Sequence, residues 1–346
     1  MTNKNLTILA AAAVILGGAA YFCNSGRKIK TSNINGRPVL QAFDVSEVQK
    51  VEITGNRNLS LLASEKGWVI DSLYGYPADI SKIRENLLKL KDLTVGQSAR
   101  GRKIENATVV ELKDASGKVL ASATLGDKHM SKPRGQAAQY GGGSYPDGRY
   151  VKYGDGVVLV KDTLESFDGD PKKWCEGRIC SVSSSDVKAV AYTKDGKTVK
   201  LERKDSTWSL DGLGEKEELD SSKTYSLDSA LSYLDFSSVA DPSKPEAEFG
   251  FATGSVYTVS LKNGQSYTAK IGSSLGSDRY FKVSAAFSPV GTNATENAAL
   301  EKAVEDFNSN VGKWTYLISS YSADSMSKTR GDFVKAKEKV KEEAKK

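Results

Sequence analysis

The sequence predicts an α+β protein: two tandem repeats of antiparallel β-hairpins with one helix each, preceded by a single N-terminal transmembrane helix. Three observations predict it. An uncharged apolar run opens the chain, apolar and polar residues then alternate with period two between turn signals, and the same ordered pattern occurs twice.

The opening run, Leu6 to Cys23, has Lys4 before it and Arg27, Lys28 and Lys30 after it. As a helix it would span about 27 Å at about 1.5 Å per residue, near the lower limit for crossing a bilayer. Two readings compete: a retained signal anchor, or a signal peptide with its apolar region at Leu6–Leu16, cut near Gly18-Ala19-Ala20. Continuation of the run through Tyr21, Phe22 and Cys23 favours the anchor, and Phe22 before Cys23 is too large for a lipoprotein signal. The basic flank after the run argues for a cytoplasmic body. A short leader ahead of an N-terminal anchor argues for export. Export is favoured, which places a single-pass protein in the inner membrane with its body facing the periplasm.

The repeat begins at Val48–Asp71 (VQKVEITGNRNLSLLASEKGWVID) and again at Val187–Asp211 (VKAVAYTKDGKTVKLERKDSTWSLD). Leu61 and Trp68 correspond to Leu201 and Trp208 at the same interval. Gly55-Asn56, Lys66-Gly67, Asp195-Gly196 and Asp205-Ser206 interrupt the alternation, as hairpin turns do. A helix is expected after each stretch. Ile80, Ile83, Leu87 and Leu90 follow the N-cap candidate Asp79, and Leu227, Leu231 and Leu234 follow Ser226. A further hairpin spans 109–126 in the first copy and 256–272 in the second. Arg149-Tyr150-Val151-Lys152 is answered by Arg279-Tyr280-Phe281-Lys282.

The copies differ between Gly126 and Arg149, where the first has a Gly-rich, basic insertion holding the sole histidine, His129. This reads as an added loop. Thr163–Ser185 connects the copies. After the second copy, Leu300, Ala303, Val304 and Phe307 mark an amphipathic helix, and Trp314, Tyr316 and Ile318 a closing strand. The organisation expected is an anchor and basic flank at 1–30, a first module with connector at 31–180 and a second module at 181–290. A closing helix and strand follow at 291–323, and a charged, solvated tail at 324–346.

The formal charge of +6 is carried by the ends, since residues 1–43 hold +5 and residues 328–346 hold +4, which leaves the body at −3. A nucleic-acid partner needs a basic face on the folded body, so none is expected. Cys175 and Cys180 read as half-buried thiols, with a small disulfide loop as the alternative.

No catalytic, cofactor-binding or metal-binding residue is assigned. One histidine excludes a multi-histidine zinc site, and His129 has no nucleophile elbow near it. Gly141-Gly142-Gly143-Ser144 lacks nucleotide-binding spacing. Ser325 and Lys328 match a penicillin-binding-type fragment without its companion motifs. Asp168/Asp170 and Glu215/Glu217/Glu218 read as turns and solvated faces rather than cation sites. Trp68 and Trp208 read as core aromatics rather than stacking platforms.

The Gly67-Trp68-Val69 strand leading into Ile83–Leu90, the paired hairpins, the Arg149-Tyr150-Val151-Lys152 strand and the connector Asp170–Ile179 (DPKKWCEGRI) together resemble the bacterial family called domain of unknown function 4340 (DUF4340). Lys313-Trp314-Thr315-Tyr316 suits it too. The resemblance implies a membrane-anchored, extracytoplasmic protein, often encoded beside ABC transporters of the gliding-motility type, and it brings no active site. The function expected is a non-enzymatic accessory or scaffold protein associated with an ABC transporter or envelope complex, without a cofactor. The alternatives are a periplasmic binding module for a small glycan or peptide and, behind it, a hydrolase using His129 or an acid pair.

Overall fold

The structure, a computed structural model, describes residues 34–133 and 142–337. The anchor expected at 1–30 lies outside the described residues, as does the end of the tail. No helix among the described residues is long and apolar enough to cross a membrane.

The first strands are β1 (Lys50–Thr54), β2 (Leu59–Ser64), β3 (Gly67–Ile70) and β4 (Tyr76–Pro77), followed by helix α1 (Ile80–Lys91). Next come β5 (Gln97–Ser98), β6 (Thr108–Lys113), β7 (Val119–Ser131), β8 (Tyr145–Tyr153) and β9 (Gly156–Val160). After the connector come β10 (Arg178–Cys180), β11 (Val187–Lys194), β12 (Lys197–Lys204), β13 (Thr207–Leu210) and β14 (Glu217–Leu219). Then follow β15 (Leu234–Asp235), β16 (Ser238–Val239), β17 (Ser255–Leu261), β18 (Gln265–Leu275) and β19 (Asp278–Phe287). The chain closes with α2 (Ala294–Phe307), β20 (Tyr316–Ser319), α3 (Ser320–Ser325) and β21 (Val334–Ala336). The α+β expectation holds at this level, with β-structure dominant.

Two compact units result. One comprises the chain up to Asn58 with Ile83–Gly169, the other Leu59–Lys82 with Asp170 onward.

In the first unit, antiparallel strands run in the order β1-β6-β7-β8-β9-β5. Alternation in the sequence becomes alternation in burial. Val51 and Ile53 of β1 and Val110 and Leu112 of β6 are at most 1% exposed, with the residues between them half-buried. Helix α1 is capped as expected, Asp79 Oδ1 accepting the Ser81 amide at 2.8 Å, and it buries Ile83, Leu87 and Leu90. Such a cap contributes about 1 kcal/mol.

In the second unit, β2, β3 and β4 form an antiparallel meander, and an eight-stranded sheet runs β13-β12-β11-β17-β18-β19-β20-β16. Asp195 and Gly196, between β11 and β12, both have positive φ (50° and 72°), as a type I′ turn requires. The core is aromatic. Tyr192 lies 4.9 Å from Tyr257 between ring centroids, and the Tyr257 hydroxyl donates to the Leu227 carbonyl at 2.6 Å. Tyr76 of β4 packs on Phe236 and Trp314, each at 5.1 Å, and Phe236 stacks on Tyr316 at 5.5 Å. Burial raises the Tyr76 hydroxyl to about 12.

Three expectations are corrected. The helix behind Ser226 does not form. Leu227, Leu231 and Leu234 are buried as their spacing requires, but i→i+3 bonds close successive turns, as from the Ser232 amide to the Ser229 carbonyl at 3.0 Å. Ser229 Oγ donates to the Ser226 carbonyl, competition for the backbone that disfavours an α-helix. The loop expected between Gly126 and Arg149 is strand at both ends, since β7 continues to Ser131 and β8 starts at Tyr145. The tail is docked as far as Lys337: β21 pairs with β14, and Phe333 is fully buried, 5.2 Å from the Tyr192 ring. Its charges masked one apolar anchor, and that residue decides where the segment goes.

Candidate functional site

The extended hairpin of β7 and β8 brings together a histidine, a serine and a carboxylate. Pairing sets His129 opposite Gly148 and Ser131 opposite Tyr145, and residues two apart on a strand share a face. Both side chains reach Asp147. His129 Nδ1 lies 2.5 Å from Oδ1, and Ser131 Oγ donates to Oδ2 at 2.5 Å. First His129 and then Ser131 hold the Asp147 carboxyl below the usual carboxylate range. The carboxylate is therefore the hub, whereas nucleophilic catalysis needs the imidazole between serine and carboxylate. Ser131 is bonded to the acid instead of to a base, so the cluster's chemistry is to fasten two strands.

Arg149 is the more heavily bonded residue. Its side chain is only 6% exposed. Nε donates to the Gly126 carbonyl at 2.9 Å, and Nη1 donates to the Leu164 carbonyl at 3.1 Å and to Asp168 Oδ1 at 2.6 Å. Lys128 holds the other Asp168 oxygen at 2.8 Å. In the second unit Arg279 Nε and Nη2 donate to the Gly272 carbonyl at 3.1 and 2.7 Å, and Asp324 is 3.8 Å away. Sequence reasoning placed both arginines on corresponding strands but missed this bond. The signal was present: each arginine follows a glycine that ends the preceding hairpin segment.

The acid pairs separate into structural roles. Asp168 serves Arg149 and Lys128, while Asp170 caps a turn by accepting the Lys172 amide at 3.0 Å. Glu217 pairs with Arg330 at 2.5 Å and Glu218 with Lys335 at 3.1 Å, and the Glu215 carbonyl accepts from Lys337 Nζ at 2.9 Å. The acidic strand is thus the tail's partner. Among the described residues, no group of three His, Cys, Asp or Glu side chains is placed to hold a metal ion.

The other sequence candidates also receive places. Cys175 and Cys180 are free, buried thiols pushed up to about 12 by burial, so the disulfide alternative is not realised. Trp68 and Trp208 are half-buried rather than core, and the Arg203 guanidinium lies 5.9 Å from the Trp208 ring. The fully buried tryptophan is Trp174 in the connector. Ser325 Oγ donates to the Ser322 carbonyl and Lys328 lies over Phe333, so these two form no site. The glycine run at 141–144 begins outside the described residues.

A family model described as "Domain of unknown function (DUF4340)" matches residues 68–253, more than half of the chain. The chain belongs to the DUF4340 family. The DUF4340 match opens at Trp68, takes in α1, the β7–β8 hairpin, Arg149 and the connector, and ends ahead of Arg279. No curated protein and no solved structure matches the chain.

Within the second unit of this DUF4340 protein lies a cleft of about 580 Å³, lined by Ser181, Ser183, Ser184, Ser229, Ser232 and Tyr233 among others. That volume falls in the range of about 300–1,000 Å³ usual for small-ligand sites. The lining carries no charged residue, and Tyr233 is 79% exposed.

Proposed function

We propose that this DUF4340 protein is a non-enzymatic accessory or scaffold protein. In this reading its N-terminal apolar segment anchors it in the cytoplasmic membrane, its body faces the periplasm, and it works beside an ABC transporter or another envelope complex. The observation that carries the reading is the fate of the reactive side chains. His129, Ser131 and Asp147 bind one another across a hairpin, and Asp168, Glu217 and Glu218 bind basic partners. Support for the anchor is the uncharged Leu6–Cys23 run with its basic flank.

The same proposal holds that the chain carries two copies of one strand-and-hairpin unit. The order β1-β6-β7-β8-β9-β5 parallels β11-β17-β18-β19-β20-β16, strand for strand along the chain. In each, an arginine donates Nε to a glycine carbonyl on the neighbouring strand. Trp68 and Trp208 are both half-buried on the last strand of a hairpin. A scaffold of this kind offers broad rigid surfaces without a reaction centre.

The test is co-purification of the intact chain from detergent-solubilised membranes. A specific membrane complex is expected, and recovery of lone monomer in every detergent would remove the proposal. Protease added to spheroplasts should digest the body, and protection would reverse the orientation. The uncharged serine cleft favours a second reading, a binding module for a neutral glycan. In that case Tyr233→Ala should abolish glycan binding and leave the fold intact.

A further inference from the structure

The β7–β8 hairpin outruns its sheet. Pairing of β6 with β7 ends at Leu125, and pairing of β9 with β8 ends at Arg149. Beyond those residues the two strands pair only with each other among the described residues. A two-stranded ribbon on its own is marginal in water. This one is weaker still. Its register shifts twice, between Leu125 and Lys128 and between His129 and Met130, and Pro146 opposite Met130 has no N–H to give.

The second shift has a use. His129 pairs with Gly148 and Met130 with Pro146, so Asp147 is the extra residue of a β-bulge. Bulges re-aim side chains, and here the carboxylate lies between His129 and Ser131 and bonds to both. Side chains thus hold the strands together where the backbone ladder is interrupted. One of these partners titrates near neutrality. His129 is the sole histidine, and an imidazole changes charge between about pH 5 and 8. Among the described residues, Asp147 is the only carboxylate in ion-pair contact with it. Lys128, the residue before it, is held by Asp168 at 2.8 Å and Glu165 at 3.7 Å. Tyr150 of β8 meets the imidazole edge-on at 5.8 Å between centroids, and the Arg102 guanidinium, from the loop ahead of β6, lies 3.6 Å from the Tyr150 ring centroid. Asp127 and Lys132 flank the cluster along the chain and are exposed.

We propose that His129 and Asp147 form a pH-sensitive clasp, which holds the outer part of the β7–β8 ribbon paired in mild acid and loosens it as the pH rises past neutrality. With an imidazolium the bond is charge-assisted, about twice as strong as the neutral bond that replaces it on deprotonation. A carboxylate partner favours the charged ring, so this stabilisation is present at low pH and lost as the ring gives up its proton. Asp147, whose carboxyl is held below the usual range, gives up its charge only in stronger acid, below about pH 4. The clasp therefore grips best between about pH 4 and 6. This device goes beyond the scaffold reading and stands or falls separately from it.

Hydrogen exchange of the intact chain in neutral detergent tests the clasp, measured at about pH 5.5 and about pH 8 and corrected for the intrinsic pH dependence of exchange. Amides within Lys128–Ser131 and Tyr145–Gly148 should be about two- to fivefold less protected at the higher pH, the factor that a partly solvated ion pair supplies. Strand β6 of the same unit should show no such change. His129→Gln keeps a donor for the carboxylate but cannot titrate, and it should abolish the difference. Asp147→Asn removes the negative charge and should reduce the difference below about twofold, which decides the matter if His129→Gln does not fold. Equal protection of the ribbon at both pH values in the native chain, or a difference that survives undiminished in either variant, overturns the proposal.

Discussion

Replacing Arg149 with methionine separates the two arginines that sequence comparison treats as equivalent. The guanidinium satisfies the Gly126 and Leu164 carbonyls and neutralises Asp168. Methionine fills similar space and supplies no donor. Each carbonyl stranded without a partner costs about 1–3 kcal/mol, and breaking a buried ion pair from one side costs about 3–5 kcal/mol. Asp168 offsets part of this, because its side chain is 36% exposed and keeps Lys128 at 2.8 Å. The expected loss for Arg149→Met is therefore about 5 kcal/mol, the lower end of the summed penalties. Arg279 is 23% exposed in its side chain, and its bonds go to one carbonyl, with Asp324 distant and solvated. Arg279→Met should cost about 1–2 kcal/mol. Urea unfolding of both variants, followed by fluorescence and circular dichroism to detect separate transitions, makes the comparison. Equal losses, or a larger loss at Arg279, would refute the assignment of Arg149 as the buried hub.

Phe333→Ala should release the tail, with the roughly 3–5 kcal/mol of a buried phenylalanine as the upper bound, and hydrogen exchange should show lost protection at Val334–Ala336 and Leu219 while β17 and β18 stay protected. Arg330→Ala should leave the urea midpoint nearly unchanged, because its pair with Glu217 is 38–40% exposed and screened by solvent. Native Cys175 and Cys180 should resist iodoacetamide at pH 8 and react rapidly in urea, since thiols pushed up to about 12 from 9.0 hold roughly a thousand-fold less thiolate. For these thiols and Tyr76 the folded state favours the protonated form, so above the unfolded pKa it binds more protons than the unfolded chain. Stability should therefore be fully present below pH 9 and fall between about pH 9 and 12 in a pH series of thermal melts.

Local chemistry was legible from the residues alone. The Asp79 cap, the apolar face of α1, the Asp195-Gly196 turn and the alternation of β6 and β17 all depend on neighbours a few positions away. Period and turn preference report those directly.

What the sequence by itself determined is thus the class of the chain, its hairpin elements and the faces they would bury. Only the tertiary structure decided the partners. Leu227, Leu231 and Leu234 carry helical spacing, yet the Tyr257 hydroxyl and the serine side chains draw their backbone into turns. Phe333 sits in a charged stretch, and nothing local announces that Tyr192, far back in the chain, will receive it. Arg149 reaches Gly126 and Asp168 only because β7, β8 and the connector converge. Spacing specifies which side of an element is apolar. Which distant group comes to meet it depends on how strands pair and close, and that is settled by packing the whole unit at once.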